Sequence, residues 1–152
     1  MLEQQIDLWS GHSLGGAMAI TTNGTVKTNG EAVMGRGCAL EATQKLPGIQ
    51  KMLGEFIQKN GNHLCVWNGV WSINNQKMCI ITFPVKHNWW ERADLALIEA
   101  SAYSLAEIYR QNPDKKVYLP RPGCGNGNLD WESEVKPVIS KILPDNVIVV
   151  SK

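Results

Sequence analysis

The sequence lacks the features that mark a membrane, secreted or zinc-binding protein. Its 152 residues contain no run of about 18 apolar residues, and the opening MLEQQIDLW has no basic segment followed by an apolar stretch. The four cysteines stand singly, without the close ligand pairs that a zinc site uses. We therefore expect a cytoplasmic protein with no membrane partner, no metal site and no cofactor.

Excess charge and internal repetition are also missing. Lysine and arginine number 15 against 14 acidic residues, so bulk attraction to nucleic acid is not expected and any such contact would be local. We find no repeat, low-complexity segment or linker, and the length is that of one domain. The sequence predicts a single domain over residues 1–152, which we expect to be a monomer.

Strand-like and helix-like segments alternate along the chain. The strand-like segments are QQIDLW, AMAITTN, HLCVWNGVWSI, KMCIITFPV, KVYLP and NVIVVS. The helix-like segments are CALEATQKL, a helix with Pro47 in its first turn and Gly61 as its cap, Glu91–Gln111, and a helix capped by Asp130. This alternation predicts an α/β sandwich with a largely parallel or mixed sheet of about six strands.

Two glycine-rich loops each follow a predicted strand and precede a predicted helix. We name residues 24–37 the first glycine loop and residues 119–131 the second glycine loop. Three glycines, two asparagines and a cysteine occupy positions 123–128 of the second loop. Ordering so many glycines costs conformational entropy, and ligands of α/β sheets lie beyond the carboxyl ends of strands. Backbone amides and helix N-termini there predict an anion-binding cleft.

The first glycine loop and the strand before it contain several candidate ligand-binding residues. Gly35 and Gly37 would allow close backbone approach to a ligand, and Arg36 between them is either a ligand contact or a solvated charge. Asn23 and Asn29 could offer side-chain amides to sugar hydroxyls, or they could simply form turns.

The stretch TFPVKHNWW is the third notable segment. Lys86 at the strand end could point into the cleft, where a lowered pKa would make its amine a nucleophile toward a carbonyl, or it could be a surface lysine. His87 is a candidate general base with a structural alternative. Trp89 and Trp90 could stack on a base or anchor the following helix.

At these residues the sequence resembles the macrodomain family, whose members bind ADP-ribose. The matching stretches are TTNGTVKTNGEAVMGRGCALEA, ITFPVKHNW and LPRPGCGNGNLDW. The resemblance implies a three-layer α/β/α macrodomain with a mixed sheet of about six strands. It is strongest to the branch containing terminal ADP-ribose protein glycohydrolase and the DarG antitoxins, which remove ADP-ribose from thymidine in DNA. DarG members carry a lysine in an FPTK.HW-like stretch, and FPVKHNW places Lys86 there.

Two departures from the family pattern refine this resemblance. The aspartate and lysine of the protein-directed relatives correspond to about Gly127 and Phe83, so that pair is absent and the DarG-like arrangement is favoured. Many macrodomains place an aspartate of a Gly-Asp-Ile motif on the adenine amino group. Here SGHS puts His12 at the expected equivalent position, so adenine would be recognised either by the backbone and His12 or by another part of the chain.

The resemblance implies a role for each part of the cleft. Amides of the second glycine loop would hold the diphosphate, and Lys86 would attack the ring-opened aldehyde of the distal ribose or stabilise the leaving group. We expect an ADP-ribosyl hydrolase acting on a modified nucleic acid or protein, with ADP-ribose 1''-phosphate phosphatase and non-catalytic reader as alternatives. The predicted catalytic residues are Lys86 and His87. The predicted ligand-binding residues are Asn23, Asn29, Gly35, Arg36, Gly37, Gly123, Cys124, Gly125, Asn126, Gly127 and Asn128.

Overall fold

A computed structural model describes residues 1–152 and contains one six-stranded mixed sheet. The strand order is β1-β6-β5-β2-β4-β3, with β3 and β4 antiparallel and the other neighbours parallel. This confirms the predicted mixed sheet. The strands are β1 Leu2–Gln5, β2 Ala17–Asn23, β3 Cys65–Ile73, β4 Gln76–Lys86, β5 Val117–Pro120 and β6 Val147–Ser151.

Helices cover both faces of this sheet. They are α1 Ser10–Ser13, α2 Gly37–Lys45, α3 Ile49–Asn60, α4 Leu95–Arg110 and α5 Lys136–Ile139, the last preceded by a π-helical segment, Trp131–Val135. No helix has both the length and the apolar character needed to cross a bilayer.

Alternate residues of the four inner strands, β2, β4, β5 and β6, pack into two separate cores. In β2, Ala17 and Ala19 join a core formed with α4 and α5, whereas Met18 and Ile20 join the core formed with α2 and α3. Successive side chains of a strand point to opposite faces, so buried strands are apolar on both sides. The result is the expected three-layer α/β/α sandwich.

The N-terminal elements differ from the sequence prediction. The first strand ends at Gln5 rather than continuing through Trp9, and Ser10–Ser13 forms a short helix where a turn was expected. The chain turns after β1, where the Ser10 amide donates a hydrogen bond to the Asp7 carbonyl oxygen at 3.1 Å. Asp7 is therefore a loop residue just beyond the carboxyl end of β1.

Two helices begin later than the sequence suggested. The α4 helix starts at Leu95 rather than Glu91, because the Asp94 side chain accepts a hydrogen bond from the Ala96 amide at 2.9 Å and caps the helix there. The α3 helix starts at Ile49, after a Gly48 with φ of 82°, so Pro47 lies outside its first turn.

The C-terminal helix confirms Asp130 as a cap. The Asp130 carboxylate accepts hydrogen bonds from the Ser133 amide at 2.8 Å and the Ser133 hydroxyl at 2.6 Å. The π-helical segment then leads into α5, where Pro137 lies in the first turn and needs no amide partner.

Candidate functional site

A cavity of about 1070 Å³ lies at the sheet edge where β2, β4 and β5 end. Both glycine loops line it, as the alternation of strands and helices predicted. Ten of the predicted site residues line this cleft: Asn23, Gly35, Arg36, Gly37, Lys86, Gly123, Cys124, Gly125, Asn126 and Gly127.

Two predicted ligand-binding residues lie outside the cleft. The Asn29 amide nitrogen donates to a Glu31 carboxylate oxygen at 2.8 Å, and the Glu31 amide donates back to Asn29 at 3.0 Å, which closes an exposed turn. Asn128 has a φ of 62°, and its carbonyl oxygen accepts hydrogen bonds from Arg92. Both asparagines serve loop geometry, and neither lines the cavity.

The predicted general base His87 also lies outside the cleft. Its Nε2 is 2.7 Å from a carboxylate oxygen of Asp94, at the start of α4. This hydrogen bond holds the pKa of Asp94 below its usual value. His87 is therefore hydrogen-bonded to the capping residue of α4 and does not line the cleft.

The Asn23 side chain fastens the first glycine loop. Its amide nitrogen donates to the Val33 carbonyl oxygen at 3.0 Å, and its amide oxygen accepts from the Thr25 amide at 2.9 Å. Although Asn23 lines the cleft, both the nitrogen and the oxygen of its side-chain amide are already hydrogen-bonded within the protein. Its hydrogen bonds therefore shape the first glycine loop where it lines the cleft.

The glycines of the second glycine loop divide into two kinds. Gly123 has a φ of 76°, and an added Cβ would lie 2.8 Å from Ile98 Cδ1. A Cβ on Gly127 would lie 2.5 Å from the Gly123 carbonyl oxygen. The fold therefore requires glycine at both positions. Nothing lies within 4 Å of a Cβ on Gly125. The open space at Gly125 is therefore available to a ligand.

The two glycine loops approach each other at Gly37, the first residue of α2. Gly37 has a φ of 59°, and the atom nearest to an added Cβ is Asn126 Nδ2 at 3.4 Å. Beside it, Gly35 has nothing within 4 Å of its Cβ position, and the Arg36 guanidinium forms no salt bridge. The site thus combines a free cation and exposed backbone at the start of a nine-residue helix.

Lys86, the last residue of β4, extends its amine into the cleft. Its Nζ donates to the Asn126 carbonyl oxygen at 3.0 Å and to the Trp89 carbonyl oxygen at 3.4 Å. Burial lowers the pKa of this lysine, and the nearby Arg36 cation lowers the pKa further. No carboxylate pairs with the amine, so a larger fraction of Lys86 is neutral than of an exposed lysine.

Neither cysteine in the cleft has the environment of a nucleophile. Burial raises the pKa of Cys124 to about 11, and its Sγ lies 3.4 Å from the Pro122 carbonyl oxygen. Burial also raises the pKa of Cys38, whose Sγ lies 3.3 Å from the Thr21 hydroxyl. Both remain thiols near neutral pH, as small packed residues do.

The main omission of the sequence prediction is Asp7. It lines the cleft, whereas His12, predicted at the adenine end, lies in α1 and lines a separate small cavity. The sequence places the Asp7 carboxylate just after the first strand. The predicted strand extended through Trp9, however, and so counted Asp7 as a strand residue. Other cleft residues that were not predicted as site residues include Leu8, Thr21, Cys38 and Trp131. Across the whole molecule, no three His, Cys, Asp or Glu side chains are grouped as a metal site requires.

Solved structures of the same fold define the class of protein. The macrodomain of Mycobacterium tuberculosis DarG matches with a TM-score of 0.76 and 24% identity, covering 99% of this chain and 97% of that one. Thermosipho africanus DarTG in complex with ADP-ribose matches with a TM-score of 0.71 and 21% identity, covering 87% of this chain and 36% of that one. The chain therefore has the macrodomain fold.

A sequence relative narrows this class. A DNA ADP-ribosyl glycohydrolase of Mycobacterium tuberculosis is 30% identical over 138 residues, which make up 86% of this chain and 38% of the relative. The chain thus spans well under half of that relative's length. No protein-family model matches the chain. Together with the structural matches, this relative identifies a DarG-type macrodomain.

Proposed function

We propose that this macrodomain binds ADP-ribose in the cleft and removes it from ADP-ribosylated DNA. The observation that carries the proposal is the Lys86 amine, which lines the cleft and is hydrogen-bonded only to the carbonyl oxygens of Asn126 and Trp89. The 30% identical relative named as a DNA ADP-ribosyl glycohydrolase supports the choice of DNA.

The cleft offers complementary groups to each part of ADP-ribose. Backbone around Gly125 is open to the diphosphate, whose charge suits amide dipoles and the free Arg36 guanidinium. At the end of the cleft formed after β1, the Asp7 carboxylate can accept a hydrogen bond from the adenine amino group. This assigns to Asp7 the role that the family resemblance had suggested for His12.

The reaction uses the neutral form of Lys86. The amine attacks the anomeric carbon of the distal ribose while the bond from that carbon to the nucleobase breaks. The base leaves with the bonding electron pair and takes up the proton that the newly alkylated Lys86 nitrogen loses. Water then cleaves the lysine–sugar bond, which releases ADP-ribose and restores the amine. The lowered pKa of Lys86 increases the fraction able to make this attack.

A release assay on three substrates separates this function from its alternatives. Purified protein is incubated with ADP-ribosylated oligonucleotide, ADP-ribosylated protein and ADP-ribose 1''-phosphate. We expect free ADP-ribose from the oligonucleotide and no phosphate from the third substrate. Phosphate release would identify a phosphatase, release from protein alone would move the substrate to proteins, and tight ADP-ribose binding with no release would identify a reader.

A further inference from the structure

Two large aromatic side chains beside Lys86 are exposed to solvent. Trp89 is 47% exposed and lines the cleft, and Trp90 is 65% exposed just outside it. Neither belongs to a hydrophobic core, so anchoring of α4 does not explain them. Their rings meet edge to face, with centroids 5.9 Å apart and planes at 88°. The perpendicular arrangement gives two separate surfaces on which planar groups can stack.

The backbone that presents these rings is fixed by hydrogen bonds. The Trp89 amide donates to the Thr25 hydroxyl at 3.1 Å, and the Trp89 carbonyl accepts from Lys86 at 3.4 Å. Within the turn, Asn88 Nδ2 donates to a Glu91 carboxylate oxygen at 2.7 Å and the Glu91 amide donates to the Asn88 carbonyl at 3.2 Å. A turn held at this many points presents its tryptophans with little further loss of backbone entropy on binding.

The adjacent wall of the cleft carries unpaired positive charge. Lys27 and Arg36 of the first glycine loop line the cavity, and neither forms a salt bridge. Exposed aromatic rings beside free cations are the combination that holds nucleobases and their phosphates.

From this arrangement we infer that Trp89 and Trp90 form a stacking platform for the DNA strand. Trp89, whose carbonyl contacts the Lys86 amine, adjoins the base attached to the ribose, and Trp90 stacks on a neighbouring base of the same strand. The inference rests on the proposed function for its choice of modified DNA. It makes the two tryptophans determinants of substrate preference, distinct from the groups that hold ADP-ribose.

Replacement of Trp90 tests the platform, because this residue lies outside the cleft and is exposed. We expect Trp90→Ala to weaken binding of an unmodified single-stranded oligonucleotide between about 5-fold and 100-fold, measured by fluorescence anisotropy. KM for an ADP-ribosylated oligonucleotide rises in parallel, while ADP-ribose affinity stays at the wild-type value. Trp90→Tyr keeps an aromatic face and restores most of the binding. Tyr103→Ala, which removes a 56% exposed aromatic of α4 outside the cleft, is the matched control and has no effect.

Oligonucleotide binding tests the platform, and release of ADP-ribose tests the proposed function, so failure of one can be distinguished from failure of the other. Wild-type protein that binds ADP-ribose and the oligonucleotide but releases nothing would refute the glycohydrolase function, and the platform would still be decided by oligonucleotide binding. Equal oligonucleotide affinity of wild type and Trp90→Ala would overturn the platform, as would absence of oligonucleotide binding by the wild type.

Discussion

At the residue scale, Gly125 is the position where the cleft meets the ligand most openly. A Cβ added at Gly125 would have no neighbouring atom within 4 Å, so we expect the fold to tolerate a side chain there. Gly125→Glu places a carboxylate where the diphosphate is proposed to lie, and we expect ADP-ribose binding to be lost in calorimetry while the thermal unfolding of the apo protein is unchanged. Gly125→Ala is the matched control for charge. ADP-ribose affinity retained in the glutamate variant would place the diphosphate elsewhere.

Lys86 determines a pH dependence with a defined sign. Its lowered pKa means that the amine loses its proton at a lower pH than a free lysine, and in the proposed reaction only the neutral amine attacks. We expect kcat/KM to rise tenfold per pH unit below this pKa and to level off above it, in a profile measured from about pH 6 to pH 10.

Arg36 provides the control for this profile, because its charge lowers the pKa of Lys86. Arg36→Gln should shift the rise to higher pH, whatever it does to the absolute rate. A rate that falls as pH rises through this range would show that the charged lysine is the active form.

At the scale of elements, the first glycine loop depends on a glycine within α3. An added Cβ on Gly54 would collide with the Gly30 carbonyl oxygen of the loop, and the Ala32 amide donates to the Gln50 carbonyl of α3 at 2.8 Å. The helix therefore acts as the support on which the loop lies.

Gly54→Ala tests this support. Alanine favours a helix by up to about 1 kcal/mol, but displacing the loop backbone should cost more, so we expect a net destabilisation of about 1–3 kcal/mol. ADP-ribose affinity should fall as well. Chemical denaturation and calorimetry measure the two effects, with Gln58→Ala at an exposed position of α3 as control. Wild-type stability and affinity in Gly54→Ala would show that the loop does not rely on α3.

Elements and the loops between them were predictable to different degrees. Strand patterns located β2 and β4 closely, and therefore placed Lys86 and the glycines at the correct edge of the sheet. The positions of the loop residues depended instead on hydrogen bonds within individual turns. Asn29 turned toward Glu31, and Asp7 emerged only because β1 ends at Gln5. Such bonds depend on local backbone geometry that hydrophobic periodicity does not encode.

At the scale of the whole molecule, the ligand site joins distant parts of the chain. The cleft takes residues from β2 near Asn23 and from the second glycine loop near Gly127, more than a hundred positions apart. A ligand that bridges these parts binds only the folded chain and stabilises it by mass action.

Thermal unfolding measures this linkage. At about 100 times its Kd, ADP-ribose should add roughly 2.7 kcal/mol, which raises the Tm of a domain of this size by about 5–10 °C. AMP, which lacks the distal ribose and one phosphate, should raise Tm less at the same concentration. Absence of any shift with ADP-ribose would contradict binding in the cleft.

The central claim is that Lys86 performs the chemistry while the backbone of the cleft holds ADP-ribose. Its most direct test is single-turnover release of ADP-ribose from an ADP-ribosylated oligonucleotide by wild type, Lys86→Ala and Lys86→Arg, with ADP-ribose affinity measured in parallel. We expect both variants to lose at least about 100-fold in rate, since arginine keeps the charge but supplies no neutral amine, and Lys86→Ala to retain ADP-ribose binding. Wild-type release by Lys86→Ala would contradict the account.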